Sequence, residues 1–201
     1  MLKRFIILLF CGFLTISMQA QNFGGGVILG LSTSQVGGDR LGGFNKAGLL
    51  IGVFANKSIS EMLSFQMEMT YIQKGSNNPK MNENRQEDIS ISYIEVPLLL
   101  QYHQSDKLKI EGGVLTAYLI DGYYNDLSGK ISNETNPFIN YDIGLLLGID
   151  YRYSENISLN TRLSNSIFRI DTKTQEDIDT YNSFTKGQYN SVLSFALHYN
   201  F

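Results

Sequence analysis

The chain has 201 residues, a net charge of −3 and a pI near 5.4. That length suits one domain with a complete core, and the acidic balance argues against a nucleic-acid partner, which requires a basic face. The single cysteine, Cys11, lies among the first twenty residues, so a chain that loses them has no disulfide and no thiolate metal ligand.

The N-terminus "MLKRFIILLFCGFLTISMQA" opens on Lys3 and Arg4, continues with apolar residues from Phe5 to Leu14, and ends on small or polar residues up to Ala20. This is the layout of a secretory signal peptide. It divides the chain into a signal peptide at 1–20 and a mature domain at 21–201. Bulky Phe10 before Cys11 and the short apolar run argue against a lipid anchor there. No segment reaches the roughly 20 apolar residues of a membrane-spanning helix.

From residue 23 onward, apolar and polar residues alternate, the signature of strands with two different faces. Eight strands are expected, at about 23–35, 46–56, 61–74, 89–104, 108–122, 138–154, 157–170 and 189–201. In the third, Leu63, Phe65, Met67, Met69 and Tyr71 share one face, and Ser64, Gln66, Glu68 and Thr70 the other. The fifth sets Leu108, Ile110, Val114, Tyr118 and Ile120 against Lys109, Glu111 and Asp121. The sixth sets Ile143, Leu145, Leu147 and Ile149 against Asp142, Asp150 and Arg152, and the seventh sets Leu159 and Leu163 against Asn160 and Arg162. Tight turns follow strands two, four and six, while the other connections are long and polar. An even strand count with short turns at one end and long loops at the other predicts an eight-stranded antiparallel up-and-down transmembrane β-barrel.

Such a barrel turns its apolar face to lipid and its polar face inward. Tyr71, Tyr102, Tyr123, Tyr124, Tyr151, Tyr153 and Tyr199 fall near strand ends, where an interfacial aromatic belt belongs. The chain closes on Leu193, Phe195, Leu197, Tyr199 and Phe201 at every second position, a tail that looks like the signal read by barrel-assembly machinery. Outer-membrane lipid is then the surrounding partner, and the long loops are the places for protein partners. The competing reading, a periplasmic lipocalin-like small-ligand carrier, inverts the two faces.

An eight-stranded barrel has an interior just wide enough for side chains to fill. The inward register holds Glu68, Glu95, Glu111 and Asp150 with Lys109, Arg152 and Arg162, and buried charges need partners, so a lumen salt-bridge network is expected. Glu68 and Glu95 come at similar heights on adjacent strands, where two carboxylates can share a proton; the plainer reading has each held by a basic residue or a tyrosine across the lumen. Pro97 cannot donate to the sheet ladder, so a bulge or a missing hydrogen bond is expected beside it. Ser194 and His198 are four apart on one strand, about 13 Å at ~3.3 Å per residue, too far for a catalytic dyad. His103, beside the turn containing Asp106, is expected at the periplasmic interface. The acids Asp171, Glu176, Asp177 and Asp179 lack the glycine and spacing of a calcium loop, and no helix follows Gly37, Gly38, Gly42 and Gly43 to make a phosphate loop. No cofactor, metal ligand set or catalytic motif emerges, and a non-enzymatic barrel is expected.

The stretch "YIEVPLLLQY", Tyr93 to Tyr102, is similar to the hallmark segment of the PorT-like outer-membrane β-barrel family. "GVILGLSTS", "AGLLIGVFA", "EGGVLTAYLI", "YDIGLLLGIDY", "LNTRLSNSI" and "LSFALHYNF" follow that family in order. The resemblance implies an eight-stranded barrel in the outer membrane of Gram-negative bacteria that carry a gliding or secretion apparatus. It implies a structural or interaction component, in the namesake an accessory of protein export. A narrow channel is the other reading compatible with the fold.

Overall fold

A computed structural model describes residues 23–38, 43–77, 88–126, 129–130, 137–172 and 187–201. The segment 1–20 with Cys11, the glycine Gly42, and the loop acids Glu176, Asp177 and Asp179 lie outside those residues.

Eight long strands form: β1 (Phe23–Gly37), β2 (Lys46–Ser58), β3 (Leu63–Ser76), β4 (Asp88–His103), β5 (Leu108–Asp126), β6 (Tyr141–Arg152), β7 (Ile157–Ser166) and β8 (Tyr189–Asn200). A two-residue strand, Gly129–Lys130, folds back on the end of β5. Each long strand pairs antiparallel with its chain neighbour, and β8 pairs with β1, so the sheet closes and leaves no edge. This is the up-and-down barrel the alternation predicts. β6 and β7 are shorter than expected, because Phe138 and Ile170 leave the wall. They bury themselves at the barrel's long-loop end, where Phe138 bridges to Asp171.

One local sequence builds all three tight turns. Ser60-Glu61-Met62-Leu63, Ser105-Asp106-Lys107-Leu108 and Ser154-Glu155-Asn156-Ile157 each read serine, acid, any residue, aliphatic. In each, the serine Oγ accepts the N–H of the aliphatic residue, at 3.1, 3.2 and 3.2 Å. The serine N–H donates back to that residue's carbonyl, at 3.0, 3.2 and 3.0 Å. A serine that satisfies turn backbone in this way favours the reversal over strand continuation.

Two irregularities interrupt the ladders. Tyr93 pairs with Leu119 but Ser92 pairs with Asp121, leaving Ile120 as the extra residue of a β-bulge. Ile120 and Asp121 both face outward, so Asp121 leaves the inward register that uninterrupted alternation assigned to it. The same shift carries Tyr124 inward, away from the aromatic belt, where its hydroxyl donates to Gln188 Oε1 (3.2 Å). Between β3 and β4 the pairing stops at Met67↔Leu98 and resumes at Thr70↔Glu95, with the gap at Pro97, which has no N–H to give.

Candidate functional site

Alternation decides which side chains see the lumen. Leu29, Leu31, Val53, Met69, Leu145, Leu147 and Phe195 are about half exposed or more on the outside. Their strand neighbours Ile28, Phe54, Glu68, Leu146 and Ser194 are buried inside. A soluble monomer seldom exposes a contiguous apolar patch beyond a few hundred Å², whereas this belt encircles the barrel. Toward the long-loop end, polar contacts replace it, as where the Tyr71 hydroxyl donates to Ser92 Oγ (3.2 Å). At the turn end Tyr102, Tyr151, Tyr153 and Tyr199 face outward. The carrier reading, with its apolar face inward and its charges in water, is the reverse of this arrangement.

The lumen is a packed core with two ionic centres. In the first, Arg162 of β7 reaches across the barrel to Glu68 of β3, with Nη1 to Oε2 at 2.6 Å and Nη2 to Oε1 at 2.7 Å. Its Nε also donates to Glu111 of β5. Glu111 further accepts from Asn160 Nδ2 (2.9 Å) and Gln101 Nε2 (3.0 Å), and Glu68 from Gln66 Nε2 (2.6 Å). Both carboxylates are thus saturated, and a bidentate fork is the strongest geometry available to such a pair. Gly148 leaves the room this requires: a Cβ there would sit 2.7 Å from Arg162 Cγ.

In the second centre Lys74 pairs with Glu95 and lies 3.9 Å from Asp142. Asp142 Oδ2 also accepts from Ser166 Oγ (2.8 Å) and Asn190 Nδ2 (2.9 Å). The Lys74 ammonium stands 5.2 Å from the Tyr93 ring centre, within cation–π range. Lys74 and Asp142 were not among the charges expected in the network, although both have inward parity. Lys74 fell at the predicted end of its strand, where a lysine is ordinarily solvated.

The seven charges expected to form one network therefore separate. Glu68, Glu111 and Arg162 meet; Glu95 goes to Lys74, not to Glu68, so no carboxylate pair forms. Asp150 accepts from Ser158 Oγ (2.9 Å) and lies 3.7 Å from His198 Nδ1. Lys109 and Arg152 stand at the turn end, where water solvates them. They line a cavity of about 220 Å³ with His103, Asp150, Ser64 and Ser158. His103 Nε2 lies 2.8 Å from Ser64 Oγ, which donates to Gln101 Oε1 (3.1 Å), so hydrogen bonds run from this vestibule to Glu111. His198 is buried against Phe54, with ring centres 5.3 Å apart. In the closing tail Phe195, Leu197, Tyr199 and Phe201 are exposed outward, and Leu193 is half-buried on the same face.

An apolar belt around a closed barrel and a filled, charged interior define a small transmembrane barrel of the outer-membrane type. Residues 19–172 match the family described as outer membrane protein beta-barrel domain, and the chain belongs to that family. Its fold is similar to that of Ail, the attachment invasion locus protein of Yersinia pestis. The two are 10% identical with a TM-score of 0.53 over 90% of this chain and 100% of that one. Neisserial surface protein A is similar at 15% identity and a TM-score of 0.51, over 89% of this chain and 97% of the other. No curated protein matches the sequence.

Proposed function

We propose that this outer-membrane barrel is a sealed, non-enzymatic scaffold that holds its long loops at one membrane face to engage a protein partner. The observation that supports the reading is the filled lumen. Two ion-pair centres and apolar side chains including Ile28, Phe54, Leu99, Leu115 and Leu146 occupy the described interior, a filling that opposes the passage of ions. Signal-peptide-directed export and recognition of the Leu193-to-Phe201 tail by barrel-assembly machinery complete the proposed route to the membrane. The finer role, an accessory of protein export as in the namesake of the PorT-like family, is drawn from the resemblance of segments such as Tyr93 to Tyr102, since a shared fold does not carry a function.

Purified protein in planar bilayers should give no reproducible conductance steps; steady single-channel openings would replace the scaffold with a narrow channel. Extraction of the native protein in mild detergent should yield a particle larger than the barrel, with defined companions. A lone barrel would remove the export-accessory role.

A further inference from the structure

We propose that the vestibule at the turn end of the barrel is a binding site for a small oxyanion, a phosphate or carboxylate group, presented from the periplasm. The inference goes beyond the scaffold reading and does not depend on it.

Lys74, Lys130, Arg162 and Arg169 each have a carboxylate within 4.0 Å. Among the described residues Lys46, Lys57, Lys107, Lys109 and Arg152 have none, and of these five Lys109 and Arg152 line the vestibule. Their cavity holds about 220 Å³, and His103 lies directly across the ladder from Lys109. These two cations therefore face one concave space. Asp150, the register partner of Lys109 and also in the lining, turns its Oδ2 to Ser158 Oγ (2.9 Å) and to His198 Nδ1 (3.7 Å). Glu155, the other acid of the cavity, sits on the exposed turn between β6 and β7. A cation entering the vestibule would meet Lys109 and Arg152. An oxyanion would meet two charged donors and the hydroxyl and amide groups of Ser58 and Asn56, in a space large enough for a small solute or a headgroup.

The chain has two histidines, His103 and His198, so ring-labelled histidine gives an assignable NMR probe, with His103→Gln fixing the assignment. The whole barrel is titrated with inorganic phosphate in dodecyl maltoside, whose headgroup carries no charge, at constant pH and ionic strength. A saturable shift of the His103 ring signals is expected. Lys109→Gln and Arg152→Gln should each raise the midpoint about tenfold, the loss expected for one charge-assisted hydrogen bond. Glu155→Gln should lower it, because it removes the competing acid. All three positions lie at the rim, and an unchanged heat-shift on gels verifies that the variants fold. A second arm compares nanodiscs of phosphatidylcholine with nanodiscs containing phosphatidylglycerol. A His103 shift confined to the latter makes the occupant a lipid headgroup, and a shift with free phosphate makes it a solute. No saturable shift in either arm, or a midpoint indifferent to Lys109→Gln and Arg152→Gln, overturns the proposal.

Discussion

Arg162 is the residue on which most of the lower lumen converges. Its side chain is 11% exposed and both of its acids are fully enclosed, so its removal leaves two carboxylates in a low-dielectric interior. Breaking a buried pair from one side costs about 3–5 kcal/mol. Arg162→Ala should lower the unfolding free energy from a urea titration in detergent by an amount of that order, and an unchanged value would show that the cluster contributes nothing to stability. Arg162→Lys should fall between, since an ammonium keeps the charge but not the planar fork. The acids and the arginine were legible from parity. Their partner choice was not, because Glu68 and Arg162 are 94 residues apart, and only closure of the sheet brings β3 and β7 to opposite walls of one lumen. Lys109 and Arg152 carry the same lesson in reverse. Alternation points them inward, but their height on the strand puts them in water.

At the scale of elements, the bulge in β5 shows how one residue changes the reading of a strand. Alternation carried unbroken from Glu111 assigns Asp121 to the lumen; the extra Ile120 turns Asp121 outward, where it pairs with Lys130 at 3.4 Å. Deleting Ile120 removes only the residue that has no partner across the ladder, so the deletion variant should keep its heat-modifiable folded form. Deleting Thr116, which is paired with both Val96 and Ile143, turns Ala117 and Leu119 outward and should abolish that form. Equal behaviour of the two deletions would remove the bulge from the account. The three turns are the opposite case: Ser60, Ser105 and Ser154 act through contacts within three residues, which is why the short connections can be read directly from the chain.

At the scale of the whole molecule, the contrast between faces is a statement about solvent. Leu147, 69% exposed near the middle of β6, and Leu146, 4% exposed beside it, differ only in which side of the wall they occupy. A charged residue on the lipid face near the bilayer centre costs about 2–4 kcal/mol. Leu147→Arg should therefore weaken folding into lipid vesicles by roughly that amount, and an unchanged folding free energy would take this face of the barrel out of the bilayer. The same contrast limits what a single strand can reveal. In β2, "LLIGVF" is apolar on both faces because Leu50 and Phe54 pack inside while Leu49, Ile51 and Val53 face outward. The sequence by itself determined the strand count, the short and long connections and the two-faced character of the wall, because alternation and turn chemistry act between residues a few positions apart. The tertiary structure decided which charges pair and that Lys109, Arg152 and His103 share one vestibule. Those properties depend on strand height and ring closure, which bring together residues that no local pattern connects.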